Sequence, residues 1–381
     1  MDPKSYNFKA AWLDPVSGVE WSFLFTYHRE TAKVELYDVK NRRAYLKPAL
    51  LPTGPIPDDR FFLGAKLMIF GRSLELVDFA DDETRSALAK QLGRTLAMIK
   101  PDAVHHAGEI LTDITKAGFR VKNMRMCRLS RAEAEEFYSV HRGKPFYPTL
   151  VDYMTSGRIV ALELLREDAI KAWRDLIGPT DAAAAREEAP ASIRARFGTD
   201  KTRNACHGSD APETAAQEVE FFFGAGRGSV GKCCVNDGST TLGIIKPHAF
   251  LDGRAGSILQ VIQAQFDVTA LQLVSLNRTD ASEFYEVYRG VVPPDEFSDM
   301  LEEITSGPFL ALEVAPGAEG ADTVESFRQL CGPRDPDLAR LLRQETIRAV
   351  FGQSRAKNAV HCTDLEEDAG LEVQYFFELI V

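Results

Sequence analysis

The sequence repeats itself, and the repeat sets the scale of any fold the chain can adopt. TLAMIKPDAV (95–104) recurs as TLGIIKPHAF (241–250), EEFYSVHRG (135–143) as SEFYEVYRG (282–290), and SGRIVALELL (156–165) as SGPFLALEVA (306–315). SIRARFGTDKTRNACHGSD (192–210) then recurs as TIRAVFGQSRAKNAVHCTD (346–364), and EVEFFF (218–223) as EVQYFF (372–377). The offset is 146 residues at Lys100 and Lys246 and 154 at His207 and His361. Five matches in one order define a duplicated domain with loop differences and exclude a short solenoid repeat. Boundaries are expected near residue 90 and in the Gly-rich run GAGRGSVGK (224–232). This divides the chain into 1–90, 91–223 and 237–381.

Within each copy the pattern predicts strand, helix, strand, helix, strand, helix, strand. TLAMIK is a short apolar strand stopped by Pro101, residues near 106–117 have helical spacing, and FRVKNMRMCRL alternates as a strand does. RAEAEEFYSV begins behind a Ser130 N-cap with a Glu at capping-box spacing. RIVALELL reads as a buried strand, EDAIKAWRDLIG as a helix ending at Gly178, and EVEFFF as the last strand. The expected fold class is α+β: two ferredoxin-like βαββαβ domains, each an antiparallel sheet covered by helices on one face. Residues 1–90 differ. WSFLFTYH, KVELYDV, RAYLKP and KLMIFGR are β-prone runs separated by turns such as NRR and LLPTGPIPDD, predicting a small all-β domain with a solitary His28.

Charge narrows the function. The chain carries 45 Lys+Arg and 56 Asp+Glu, a net −11, which disfavours nucleic acid and anionic membrane as partners. Residues 1–90 hold 13 of each sign, so the repeated part carries the whole excess. No apolar run reaches the roughly 18 residues of a membrane span, and MDPKSYNFKA shows no secretory pattern. Six cysteines without a C-x-x-C spacing read as reduced thiols of a cytoplasmic protein.

The strongest chemical signal is NACHGSD around His207. A neutral imidazole is a nucleophile near pH 7 and can accept a phosphoryl group. Such a transfer needs cations over the phosphate oxygens and little else from the protein. Lys100, Arg174 and Arg194, with Thr180 and Glu218, lie in the same copy. A carboxylate accepting from the other ring nitrogen would fix the tautomer. No phosphate-binding glycine loop of the G-x-x-x-x-G-K-[ST] kind is present, nor a dinucleotide-binding glycine fingerprint, so a nucleotide would be held by discrete side chains. No paired zinc-ligand motif occurs, and no protein metal site is expected.

These motifs, TLAMIKPD, the FY…H…KPF segment, LVxYMxSG, SIRARFG and NxxHGSD, resemble those of nucleoside diphosphate kinases. DVKNRRAYLKP and Phe61-Phe62 give the leader a resemblance to the DM-ten domain of axonemal proteins. The whole architecture is similar to that of a cilium- and centrosome-associated member of the kinase family. The resemblance implies ping-pong transfer from a nucleoside triphosphate to histidine and on to a nucleoside diphosphate, with Mg2+ bridging phosphate oxygens. It makes His207 the nucleophile, with Glu218 on its ring, Ser209 in support, and Lys100 and Tyr138 beside the phosphoryl group. Lys100, Arg174, Thr180 and Arg194 would hold phosphates, Asn204 the sugar, and Phe146 the base. In the second copy His361, Lys246, Tyr285 and Glu372 match the catalytic set, and Lys246, Arg328, Arg348 and Asn358 the nucleotide set. There Arg334 replaces the threonine, His248 the aspartate, and HCTD the HGSD; VVPPDEF leaves Phe297 as the candidate stacking ring. The resemblance further implies tubulin of the microtubule doublet, other axonemal proteins and the gamma-tubulin complex as partners. It implies a place in cytoplasm, cytoskeleton, ciliary or flagellar axoneme, centrosome or basal body, and a monomer with an internal pseudo-dimer. Two further functions stay open: a purely structural microtubule protein, and a soluble nucleotide-balancing kinase.

Overall fold

The structure is a computed structural model that describes residues 3–14, 19–62, 64–88, 92–227, 230–317 and 322–380. The boundary expected near residue 90, and Gly228 and Ser229 of the expected linker, lie outside the described residues. The chain forms two compact units, one of Met1–Gln91 with Ser275–Pro308, the other of Leu92–Val274 with Phe309–Val381.

The first unit is built on strands β1 (Ser5–Leu13), β2 (Glu20–His28), β3 (Lys33–Asp38), β4 (Arg43–Leu50), β5 (Lys66–Ile69) and β6 (Arg72–Phe79). They pair antiparallel in the order β4-β3-β2-β1-β6-β5. Period-two side chains fill its core: Phe8 and Ala10, Phe23 and Phe25, Val34 and Leu36, Leu74 and Leu76. Phe61 packs among Tyr6, Phe8, Phe25 and Tyr27. KLMIFGR is a hairpin rather than one strand, because Phe70 (φ 46°) and Gly71 (φ 80°) form its reversal. A helix, Asp82–Leu88, follows the sheet. His28 is not solitary but lies 3.3 Å from Glu35.

The second unit holds β7 (Leu92–Ile99), β8 (Arg120–Cys127), β9 (Ile159–Glu167), β10 (Cys206–Gly208), β11 (Thr241–Ile245), β12 (Asp267–Val274), β13 (Phe309–Ala315) and β14 (Val360–Cys362). They form one antiparallel sheet ordered β10-β7-β9-β8-β12-β13-β11-β14. Each half has the ferredoxin-like strand order, and the halves join at Arg125 and Gln272. Helices Ala107–Lys116 and Ala255–Gln263 cross at the same seam. The crossing demands glycine. A Cβ on Gly108 would lie 2.4 Å from the Gln260 nitrogen, and one on Gly256 2.5 Å from that of Thr112. Gln263 accepts from the Gly108 N–H and donates to the Val104 carbonyl.

The last elements of each copy correct the strand expectation. Residues 218–223 lie in helix Pro212–Phe223, and 372–377 in Glu366–Gln374 and the π-helical turn Tyr375–Leu379. Adjacent phenylalanines favour a strand, but Pro212 presets the first helical turn. Ala215, Val219 and Phe222 then recur on one buried face. The closing strand of each copy is instead the three-residue segment that carries its histidine, β10 or β14.

Candidate active site

His207 sits in mid-strand opposite Met98, at the sheet edge. Ala205, just before it, is left-handed (φ 64°), a conformation that costs a non-glycine residue about 1 kcal/mol or more. Two bonds hold it there: its N–H donates to Asp102 Oδ2 (3.1 Å), and its carbonyl accepts from the Lys100 N–H (2.8 Å). Asp102 also accepts from the Tyr153 hydroxyl. Ala359 repeats the strain in the second copy (φ 71°).

The ring of His207 is fixed from helix Pro212–Phe223. Nε2 lies 3.0 Å from Glu218 Oε1, while Ser209 Oγ donates to Glu218 Oε2 (2.6 Å) and accepts from the Leu96 N–H (3.1 Å). An ionised carboxylate only accepts, so Nε2 carries the hydrogen and Nδ1 keeps its lone pair. Phe137 and Tyr138 meet the imidazole edge-on, at 5.6 and 6.3 Å between centroids. His141 lies between Tyr138 and Phe146, which is half exposed where helix Tyr147–Met154 begins.

Cations surround this strand. Lys100 is buried and donates to Asn204 Oδ1 (2.7 Å) and the Thr202 carbonyl (3.2 Å). Burial, with Arg194 next in weight, brings its ammonium down to about 8. Arg194 donates to the carbonyls of Gly178 (2.8 Å) and Cys206 (2.9 Å). Arg174 projects exposed from the last turn of Ala169–Ile177, and its guanidinium makes no hydrogen bond or ion pair among the described residues. Asn204 Nδ2 donates to the carbonyl of Thr180, whose side chain is exposed (2.9 Å). The Tyr138 hydroxyl is buried with no hydrogen-bond partner among the described residues. Burial, and then the charge of Glu218, raises its pKa, so it stays a donor.

The second copy keeps the relay but not its surroundings. His361 Nε2 lies 3.1 Å from Glu372 Oε2, to which Thr363 donates at 2.7 Å. The His361 side chain is 7 % exposed against 22 % for His207. Arg328, the counterpart of Arg174, is ion-paired with Asp364. Arg348 keeps its carbonyl bonds to Gly332 and Val360 and lies 3.5 Å from Cys362 Sγ. Lys246 donates to the Ala356 carbonyl (2.8 Å), and Asn358 Oδ1 is buried without a hydrogen-bond partner among the described residues. Asn358 Nδ2 donates to the carbonyl of Arg334 (3.1 Å). Tyr285 and Phe297 belong to the other compact unit. Tyr285 is buried beside Phe284 and Tyr288. Phe297 is buried inside helix Pro294–Ile304 beneath Arg289. Aligning Thr305-Ser306-Gly307 with Thr155-Ser156-Gly157 puts Phe297 at the place of Tyr147 and Glu296 at that of Phe146.

Sequence reasoning placed Phe137 and His141 in the FY…H…KPF motif and Tyr153 in LVxYMxSG without giving them roles, and missed Trp173, whose Nε1 donates to the His207 carbonyl (3.0 Å). Phe137 also recurs as Phe284, and His141 is replaced by Tyr288 in the second copy. No group of three or more His, Cys, Asp or Glu side chains able to hold a metal ion occurs among the described residues.

The fold and this histidine relay define a phosphotransferase class. The sequence model described as nucleoside diphosphate kinase matches residues 93–227 and 239–380, and the chain belongs to that family. It is 45 % identical over 376 residues to the Rattus norvegicus nucleoside diphosphate kinase homolog 7, spanning 98 % of this chain and 93 % of that one. To the Mus musculus homolog 7 it is 43 % identical over 385 residues, 100 % and 95 % of the two chains. The nucleoside diphosphate kinase of Aquifex aeolicus is 51 % identical over 132 residues, 34 % of this chain and 93 % of its own length.

Proposed function

We propose that the chain is a nucleoside diphosphate kinase that works by a phosphohistidine relay at His207, and that it serves on ciliary microtubules. The observation that carries the chemistry is the His207–Glu218 bond, which leaves Nδ1 as the ring's nucleophile. In-line attack of Nδ1 on the γ-phosphorus of a nucleoside triphosphate forms the N–P bond and releases the diphosphate. The terminal oxygen of a second nucleoside diphosphate then takes the phosphoryl group and restores the imidazole. Glu218 stabilises the charge that grows on the ring, while Lys100, Arg174, Arg194 and the Tyr138 hydroxyl face the phosphate oxygens. Phe146 offers a face for stacking and reads no base edge, so purine and pyrimidine nucleotides are both substrates. With no cluster for a cation among the described residues, Mg2+ would come with the nucleotide, held by phosphates and water, and would neutralise phosphate charge.

The second copy contributes little exchange. Arg328 is occupied by Asp364, and in sequence Glu296 aligns with Phe146. Exchange of labelled phosphate between ATP and GDP in the purified chain tests the reading, with acid-labile, base-stable phosphate mapping to His207.

A docking role for residues 1–90 is supported by the exposed edge strand β4 and by exposed Leu13, Val39, Leu50 and Val77 on the first unit. The partners in this reading are tubulin, other axonemal proteins and the gamma-tubulin complex. Removing residues 1–90 should leave exchange within a few-fold and reduce retention in salt-washed axonemes. Loss of exchange with retention unchanged would contradict this division of labour.

A further inference from the structure

We infer that Trp173 positions the phosphate-accepting histidine, its indole N–H holding the His207 carbonyl and its ring filling the space a side chain at 208 would need. The inference rests on His207 being the nucleophile. Trp173 is fully buried in helix Ala169–Ile177, with the ring of Phe119 edge-on at 6.2 Å. Its Nε1 donates to His207 O at 3.0 Å. A Cβ on Gly208 would lie 2.5 Å from Trp173 Cδ1 and 2.7 Å from Nε1, so glycine alone lets the strand come this close. Arg194 donates to the preceding carbonyl, that of Cys206. Two successive carbonyls of β10 are thus clamped, one by a guanidinium and one by an indole. β10 is three residues long and pairs with the sheet along β7. With the ring already held by Glu218, the clamp on the main chain fixes where Nδ1 points, and in-line transfer is sensitive to displacements of about 1 Å.

The repeat provides an internal comparison. Arg348 retains the clamp on the Val360 carbonyl. Aligning AWRDLIG with SFRQLCG puts Phe327 at the place of Trp173 and Cys331 at that of Ile177, while Cys362 stands where Gly208 does. Phe327 has no N–H to give. The smaller Phe327 and Cys331 make room for the Cys362 side chain, so the three positions have changed as a set. In the second copy the histidine keeps its carboxylate and loses its indole.

The test is the full chain with β-(3-benzothienyl)alanine at position 173, which keeps the shape of tryptophan and puts sulfur in place of N–H. Single-turnover phosphorylation of His207 by ATP should slow about tenfold, with nucleotide KM within twofold and Tm within a few degrees. Trp173→Phe should slow it at least as much. In the native chain carrying 5-fluorotryptophan, the Trp173 fluorine signal, assigned by its loss in Trp173→Phe, should move on phosphorylation and return with GDP. A rate within twofold of native for the benzothienyl chain, or a Trp173 signal indifferent to phosphorylation, would overturn the inference. So would a rate loss accounted for by raised KM or by unfolding. Should the native chain take no phosphate on His207, the reading of the site fails first, and that result is separate from either variant.

Discussion

Lys100 Nζ and Asn204 Oδ1 are 2.7 Å apart, inside the protein, and this bond places the amine beside the histidine strand. Burial pulls the ammonium down to about 8 from an ordinary 10.5, so its charge is present below that pH and lost above it. Phosphate exchange should therefore fall as pH rises through about 8 in the free protein, read as kcat/KM for ATP between about pH 6 and 10. Lys100→Arg should move that limb beyond the range at reduced rate. Stability should respond oppositely. Between about 8 and 10.5 the unfolded chain holds a proton that the native one has released, so the contribution of this group to stability rises with pH. A rate profile flat to pH 10 would contradict the placement of Lys100.

Glu218→Gln keeps an oxygen that can accept from Nε2 but removes the charge that balances a phosphorylated ring. Its exchange rate should drop roughly ten- to a hundredfold, with Tm little changed. Ser209→Ala should cost less, because Ser209 acts on His207 only through Glu218. An unaltered rate in Glu218→Gln would show that the 3.0 Å contact is only structural.

The seam between the copies makes a prediction about stability. Gly256→Ala drives a methyl group into the backbone of helix Ala107–Lys116, an overpacking that costs about 1–3 kcal/mol. Thermal unfolding should shift down by several degrees. An unchanged Tm would mean that the two helices are further apart than described.

Much of the fold was legible because the repeat tested each segment twice. The Ser130 capping box and the stop at Gly178 (φ 79°) are local signals and form as expected. What was not legible depended on contacts distant in sequence. EVEFFF carries strand-forming residues, yet it is helical, with Val219, Phe221 and Phe222 packed against Leu96, Met98 and Ala161 of the sheet and Glu218 reaching His207. β1 escaped notice because its inward face is Tyr6, Phe8 and Ala10, with lysine and asparagine between. The run GAGRGSVGK (224–232) reads as linker by its glycines, and the residues just beyond it carry no signal of their own. In the structure the buried carboxylate of Glu313 accepts from the N–H groups of Val235 and Asn236 and from the hydroxyls of Thr240 and Thr269. No neighbour in sequence announces that. In the site, His207, Glu218 and the cations were visible as a motif, whereas Trp173 acts through the folded backbone and carries no motif of its own.

The central claim is that one of two similar histidines does the chemistry. The most direct measurement is exchange of labelled phosphate from ATP to GDP by the full chain, in His207→Ala, His361→Ala and the double variant. Nearly all exchange and all acid-labile phosphate should vanish with His207→Ala, and His361→Ala should remain close to native. Equal losses from the two single variants would contradict the asymmetry, and undiminished exchange in the double variant would contradict the phosphohistidine relay itself.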